Sequence, residues 1–119
     1  METTLFDGHG HPVAYIAEDN ERSIYLWSGH AVAYLVNETL YGWNGKHLGW
    51  FASGVMCNLK GERVGSVREK CPYTTFLETS KFSKFTKFTK FTRFTPYSRP
   101  TLSSYYSNEG LEGFLKQGR

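Results

Sequence analysis

Between residues 80 and 97 a cation, an aromatic ring and a hydroxyl recur every third residue: Ser80-Lys81-Phe82, Ser83-Lys84-Phe85, Thr86-Lys87-Phe88, Thr89-Lys90-Phe91, Thr92-Arg93-Phe94, then Thr95-Pro96-Tyr97. Two kinds of chemistry use this alphabet. Ammonium and guanidinium groups track phosphates while rings stack on bases, the pattern of single-strand nucleic-acid binding. Alternatively, an unbroken row of rings makes an apolar seam that packs within or between chains. The candidate binding residues are therefore Lys81, Phe82, Lys84, Phe85, Lys87, Phe88, Lys90, Phe91, Arg93 and Phe94.

Other chemistry-bearing residues form weaker patterns. His11 and His30 directly follow the turn glycines Gly10 and Gly29, and His47 lies one residue beyond the corresponding place after Gly45. Around a four-fold axis such residues would converge on a metal. The fourth copy supplies Glu62-Arg63 instead, so polar turn residues are the better reading and no metal or cofactor is expected. Asp7, Asp19, Glu38 and Glu62 show no acid–base spacing, and the sequence holds no phosphate-cradling Gly loop, nucleophile elbow or zinc spacing. The expectation is a protein that is not an enzyme. Cys57 and Cys71 lie 14 residues apart without metal-site companions, so reduced thiols are expected.

The triplet period constrains the backbone that must carry it. A strand sends successive triplet rings to opposite faces, and an α-helix turns them by about 60° per triplet. Polyproline II, with three residues per turn, puts the rings on one edge, the cations on a second and the hydroxyls on a third. Pro72, Pro96 and Pro100 agree with extended backbone. A 3₁₀ helix shares the period but rarely runs so long. Five exposed rings would present on the order of 500 Å² of apolar surface, so the Phe edge is expected to be covered.

The first 67 residues repeat a longer phrase four times: Phe6-Asp7-Gly8-His9-Gly10-His11-Pro12-Val13-Ala14-Tyr15-Ile16, Trp27-Ser28-Gly29-His30-Ala31-Val32-Ala33-Tyr34-Leu35, Trp43-Asn44-Gly45-Lys46-His47-Leu48-Gly49-Trp50-Phe51 and Leu59-Lys60-Gly61-Glu62-Arg63-Val64-Gly65-Ser66-Val67. Each reads as a β-hairpin whose two-residue Ser-Gly, Asn-Gly or Lys-Gly turn needs positive φ at glycine. Val32, Tyr34, Leu48, Trp50, Val64 and Ser66 are expected on one face, with Ala33, Gly49 and Gly65 on the other. A position restricted to Ala14, Ala33, Gly49 and Gly65 implies close approach of neighbouring repeats. Tyr15, Tyr34, Trp27, Trp43 and Trp50 would either line a ligand pocket or pack as core, the commoner use of rings in strands.

The strings Leu-Trp-Ser-Gly-His-Ala-Val-Ala-Tyr-Leu at 26–35 and Leu-Tyr-Gly-Trp-Asn-Gly-Lys-His-Leu-Gly-Trp-Phe at 40–51 resemble the bacterial four-fold β-flower domain family over roughly residues 3 to 70. The resemblance implies consecutive β-hairpins arranged as petals and brings no catalytic motif. Leu59 and Ser66 depart from the aromatic pattern of the other copies.

The expected fold is therefore mainly β: four consecutive β-hairpin repeats at 1–70, an extended period-three segment rich in Pro, Thr, Lys and Phe at 71–107, and a short C-terminal helix at 108–119. In that helix Asn108 would cap, Leu111, Phe114 and Leu115 form an i, i+3, i+4 stripe, and Gly118 terminate. Two internal glycines mean that it forms only when docked. A 70-residue hairpin domain is near the lower limit for a stable core, so the tail or oligomerisation must supplement it. Charge divides as −3 over residues 1–80, +6 over 81–99 and 0 over 100–119, within the net +3. An acidic body thus carries a basic ribbon. No secretory signal or membrane span is visible, and a cytoplasmic location follows. The function expected is a structural or protein-interaction module that self-associates or binds a protein partner through the triplets; the alternative is nucleic-acid binding by the same segment.

Overall fold

The computed structural model describes residues 2–87, 90–93 and 95–119. Phe88 and Phe94, two of the candidate binding residues, lie outside the described residues. Eight strands follow one another in antiparallel pairs: β1 (Thr3–Asp7), β2 (Pro12–Ile16), β3 (Ser23–Leu26), β4 (Ala31–Val36), β5 (Thr39–Gly42), β6 (His47–Ala52), β7 (Val55–Asn58) and β8 (Arg63–Ser66). β8 returns to β1 through Phe6 opposite Ser66 and Asp7 opposite Gly65, which closes the sheet into a barrel and removes its free edges.

The four repeated hairpins are β1–β2, β3–β4, β5–β6 and β7–β8. Their turns differ in one respect from the two-residue form expected. In the second, Gly29 N–H donates to Leu26 O at 2.8 Å and Leu26 N–H to His30 O at 2.9 Å, and the same pair of bonds recurs in each of the others. Only the glycine of each turn takes positive φ, so the loop is the three-residue kind, a tight turn followed by a left-handed glycine bulge.

That bulge also revises the expected faces. Opposite Ile24 and Tyr25 the partner jumps from Ala33 to Ala31, and the same slip occurs in every hairpin. Val32 and Ala33 consequently join one apolar cluster with Leu5, Ile24, Leu40, Leu48, Met56 and Val64, whereas Tyr34 packs in a separate cluster with Tyr41 and Trp43. The restricted small position is explained by backbone approach across neighbouring strands. A side chain at Gly49 would strike the Cys57 carbonyl on β7, and one at Gly65 would lie 2.7 Å from Phe6 O on β1 and 2.8 Å from Leu111.

Leu111 belongs to a short α-helix, α1 (Leu111–Lys116), which contacts β1, β2, β4 and β8. Leu111, Phe114 and Leu115 are the expected stripe, all at most 2% exposed, and they complete the cluster formed by the strands. The helix is a plug. It begins two residues later than expected: Gly110, in extended conformation, is the N-cap, and Asn108 does not cap it. The chain end is fastened by Asn44, whose N–H donates to Gly118 O at 3.0 Å and whose Nδ2 donates to Gln117 O at 2.8 Å.

Candidate interaction surface

Among the described residues from Cys71 to Ser107 the chain forms no helix and no strand beyond an isolated bridge between Tyr106 and Arg63, yet it is held to the barrel at every petal. Phe76 N–H donates to Gly10 O, Phe82 N–H to Trp27 O, Phe85 N–H to Gly29 O, Phe91 N–H to Trp43 O and Ser103 N–H to Gly61 O, at 2.9–3.1 Å. The segment is thus a belt that passes the four hairpin turns in order. Its carbonyls at Thr74, Ser83, Thr92 and Thr101 sit against Gly10, Gly29, Gly45 and Gly61, an advance of nine residues, or three triplets, per petal. At each contact a glycine serves twice: it supplies positive φ, and it leaves room for the belt carbonyl that a Cβ would displace.

The two edges of the triplet lie opposite to the expected arrangement. The lysines face the barrel. Lys81 Nζ stands 4.3 Å from the Tyr15 ring centroid and 5.4 Å from that of Trp27 while bonding Glu2 at 2.8 Å. Lys84 reaches the other Glu2 oxygen at 2.7 Å and Tyr25 at 5.4 Å. Lys87 bridges Asp19 and Glu21, Lys90 lies 4.3 Å over Tyr34 and 2.6 Å from Glu21, Arg93 lies over Tyr41, and Arg99 pairs with Glu38. Each such pair contributes little alone, but carboxylates shared by two lysines and backed by ring faces form a continuous clasp.

Titration behaviour follows these contacts. Hydrogen bonds from Lys81 and Lys84 hold the Glu2 carboxyl below its ordinary value, and those from Lys90 and Lys87 do the same for Glu21. Burial alone would raise Asp19, but bonds from the Ser23 N–H and hydroxyl and from Lys87 outweigh it and lower the carboxyl to about 2. Lys87 is opposed by burial, yet Glu21 and Asp19 hold it above the usual lysine value.

The Phe edge is left outside. Phe82, Phe85 and Phe91 are 71%, 56% and 69% exposed, so the barrel of the same chain does not cover the edge that the sequence analysis expected to be buried. The physical reason is the wall beneath the belt: its tyrosines, tryptophans and carboxylates attract ammonium groups better than they attract more rings. The described candidate residues of the tail are therefore brought to one belt but divided between two faces, Lys81, Lys84, Lys87 and Lys90 inward and Phe82, Phe85 and Phe91 outward.

The histidines do not converge. His11 stacks on Phe76 with centroids 4.4 Å apart, and His30 stacks on Phe85 at 4.5 Å, each on its own petal. His47 is buried: its Nε2 donates to Gly49 O and its Nδ1 accepts the Tyr97 N–H, both at 2.9 Å. Burial lowers its basicity, only partly offset by the Gly49 bond, and the acceptor role of Nδ1 assigns the neutral Nε2–H tautomer. These belt-fastening roles were invisible in spacing alone, although the nine-residue advance of Thr74, Ser83, Thr92 and Thr101 was available to be read. Among the described residues no group of His, Cys, Asp or Glu is placed to hold a metal, both cysteines are free, and no helix is long and apolar enough to cross a membrane.

The profile described as 4-fold beta flower protein matches residues 3–115, a span that takes in the barrel, the belt and most of α1. The chain belongs to the 4-fold β-flower family. The match extends well beyond the hairpins on which the sequence resemblance rested. No curated protein and no solved structure matches the chain. In this β-flower protein the petals are the four hairpins, and the description of the family names a shape rather than an activity.

Proposed function

We propose that this β-flower protein is a non-enzymatic structural module that self-associates through the outer edge of its belt. The observation that carries the reading is the division of the triplets. The ammonium groups are consumed by the barrel, while Phe82, Phe85 and Phe91, joined by Phe76 and Leu77 at 54% and 91% exposure, form an aromatic hoop facing solvent. So large an apolar patch on a small chain is characteristic of an interface. The three-residue spacing of Lys81, Lys84, Lys87 and Lys90 on the wall supports a polyproline II-like path for the belt. The same inward lysines weigh against nucleic acid, because phosphates would have to displace Glu2, Asp19 and Glu21 from cations they already bind.

The test is the solution mass of the full chain beside a Phe82→Ser, Phe85→Ser, Phe91→Ser variant, after nuclease treatment and at high salt. An oligomer that survives salt and becomes a monomer in the triple variant is expected. A wild-type monomer, or an oligomer unchanged in the variant, would overturn the reading. Salt-labile nucleic acid co-purifying with a monomer would put the alternative in its place.

A further inference from the structure

Under the belt the outer wall repeats one arrangement of rings twice. On β2 and β3, Tyr15 stacks on Tyr25 with centroids 5.6 Å apart and planes 13° apart, and Trp27 stands edge-on to Tyr15 at 6.1 Å and 83°. On β4 and β5, Tyr34 stacks on Tyr41 at 5.8 Å and 24°, and Trp43 stands edge-on to Tyr34 at 5.6 Å and 87°. Each set holds an ammonium at the same depth, Lys81 4.3 Å from Tyr15 and Lys90, nine residues later, 4.3 Å from Tyr34, while the second tyrosine of each set faces a further cation, Lys84 over Tyr25 and Arg93 over Tyr41. Each ammonium also meets one carboxylate, Glu2 in the first set and Glu21 in the second.

Packing alone does not require this agreement. In the next repeat Cys57 and Leu59 occupy the places of Tyr25 and Trp27, and the belt there presents a guanidinium, Arg99, to Glu38 instead. At the belt position nine residues beyond Lys90, where the Tyr–Tyr–Trp set is missing, the chain carries Arg99 in place of the lysine.

We propose that the outer wall carries two aromatic cages for alkylammonium groups, that Lys81 and Lys90 are their resident occupants, and that a quaternary N-methylated ammonium takes the same place. One tyrosine face with an indole beside it, Trp27 at 5.4 Å from Lys81 and Trp43 at 6.0 Å from Lys90, together with one acidic group, forms an arrangement that favours a bulky, weakly hydrated ammonium. A primary ammonium adds hydrogen bonds to the carboxylate; a trimethylated one loses those bonds and gains contact with the rings. The side chains of Lys81 and Lys90 remain 28% and 32% exposed, so each cage opens to solvent beside the belt. This inference does not use the Phe edge and stands independently of the self-association reading.

Two measurements on the full chain test it. In the first, Lys81→Cys in a Cys71→Ser background is alkylated to give either an aminoethyl or a trimethylaminoethyl side chain, with Lys81→Gln as the neutral comparison; Cys57 is 1% exposed and shielded from the reagent. The trimethyl form is expected to melt with or above the aminoethyl form. If it melts with the Gln variant, the lysine is held only by its hydrogen-bonded ion pair and the cage is refuted. In the second, Lys81→Ala is titrated with tetramethylammonium chloride while the Trp27 indole resonance is followed by NMR. A saturable shift is expected that sodium chloride does not produce and that the intact chain does not show, weakened about tenfold or more when Tyr15→Leu is added. A folded Lys81→Ala chain with no saturable shift overturns the proposal, and if that variant does not fold the alkylated pair decides alone.

Discussion

Phe114 and Phe82 lie in the same C-terminal third of the chain, yet the structure assigns them opposite energetic weights. Phe114 is 2% exposed and sits with Leu111 and Leu115 in the cluster that fills the barrel, whereas Phe82 is 71% exposed. Truncating a fully buried phenylalanine to alanine removes its transfer free energy and leaves a cavity, about 3–5 kcal/mol together. For a chain of this size that corresponds to a fall in Tm on the order of 10–20 °C. Phe82→Ala touches no core and is expected to change stability by no more than about 0.5 kcal/mol. Thermal melts followed by near-ultraviolet circular dichroism, at a protein concentration where both variants have one oligomeric state, measure the contrast. Equal shifts for the two variants would refute the plug assignment of α1. A larger shift for Phe82 would mean that the outer edge of the belt, rather than the helix, supplies the missing core.

Three further outcomes follow from the belt. Glu21→Gln removes the carboxylate shared by Lys87 and Lys90; amide exchange at Phe91 N–H, bonded to Trp43 O, should accelerate while that of the barrel strands stays slow, and uniform acceleration would show that the belt does not open locally. Gly29→Ala meets positive φ and the Ser83 carbonyl at once; it should cost at least about 1–2 kcal/mol and preferentially expose Phe85 N–H, and a neutral effect would refute the double role of that glycine. The third concerns acid. Asp19 at about 2 and Glu2 and Glu21 held low bind protons less readily in the folded chain than in the unfolded one. Their stabilisation is complete above the ordinary carboxylate range and is lost as pH falls toward 2. The lowered basicity of His47 acts in the same sense from about pH 6.5 downward, so stability should decline in two stages, the first absent in His47→Gln.

The hairpins were legible because their determinants are local: a glycine at the one position of positive φ, with β-formers on both sides. The bulge was not, since Ser-Gly and Asn-Gly fit two-residue and three-residue turns alike, and that one residue decided that Val32 and Ala33 share a cluster while Tyr34 lies outside it. The stripe Leu111, Phe114 and Leu115 was legible as a docked helix, but its socket is assembled from strands spread over the barrel. In the belt, Lys81, Lys84, Lys87 and Lys90 meet the wall while Phe82, Phe85 and Phe91 stay exposed. Which edge turns inward depends on Tyr15, Tyr34, Glu2 and Glu21, residues scattered through the first third of the chain, and hydrophobicity alone points to the wrong edge. The histidines failed as a metal constellation for a related reason: each belongs to its own petal and meets its own ring of the belt.

The advance of the belt from Thr74 to Ser83 to Thr92 to Thr101 makes its length a ruler for the number of petals. Loss of one triplet would keep every side chain on its proper edge yet carry every later carbonyl a third of a petal away from its glycine. Duplication of one hairpin would leave the plug helix one hairpin short of its socket unless the belt grew by three triplets in the same step. Barrel and belt are therefore locked in a fixed metre, and a viable five-petalled descendant would have to lengthen both at once.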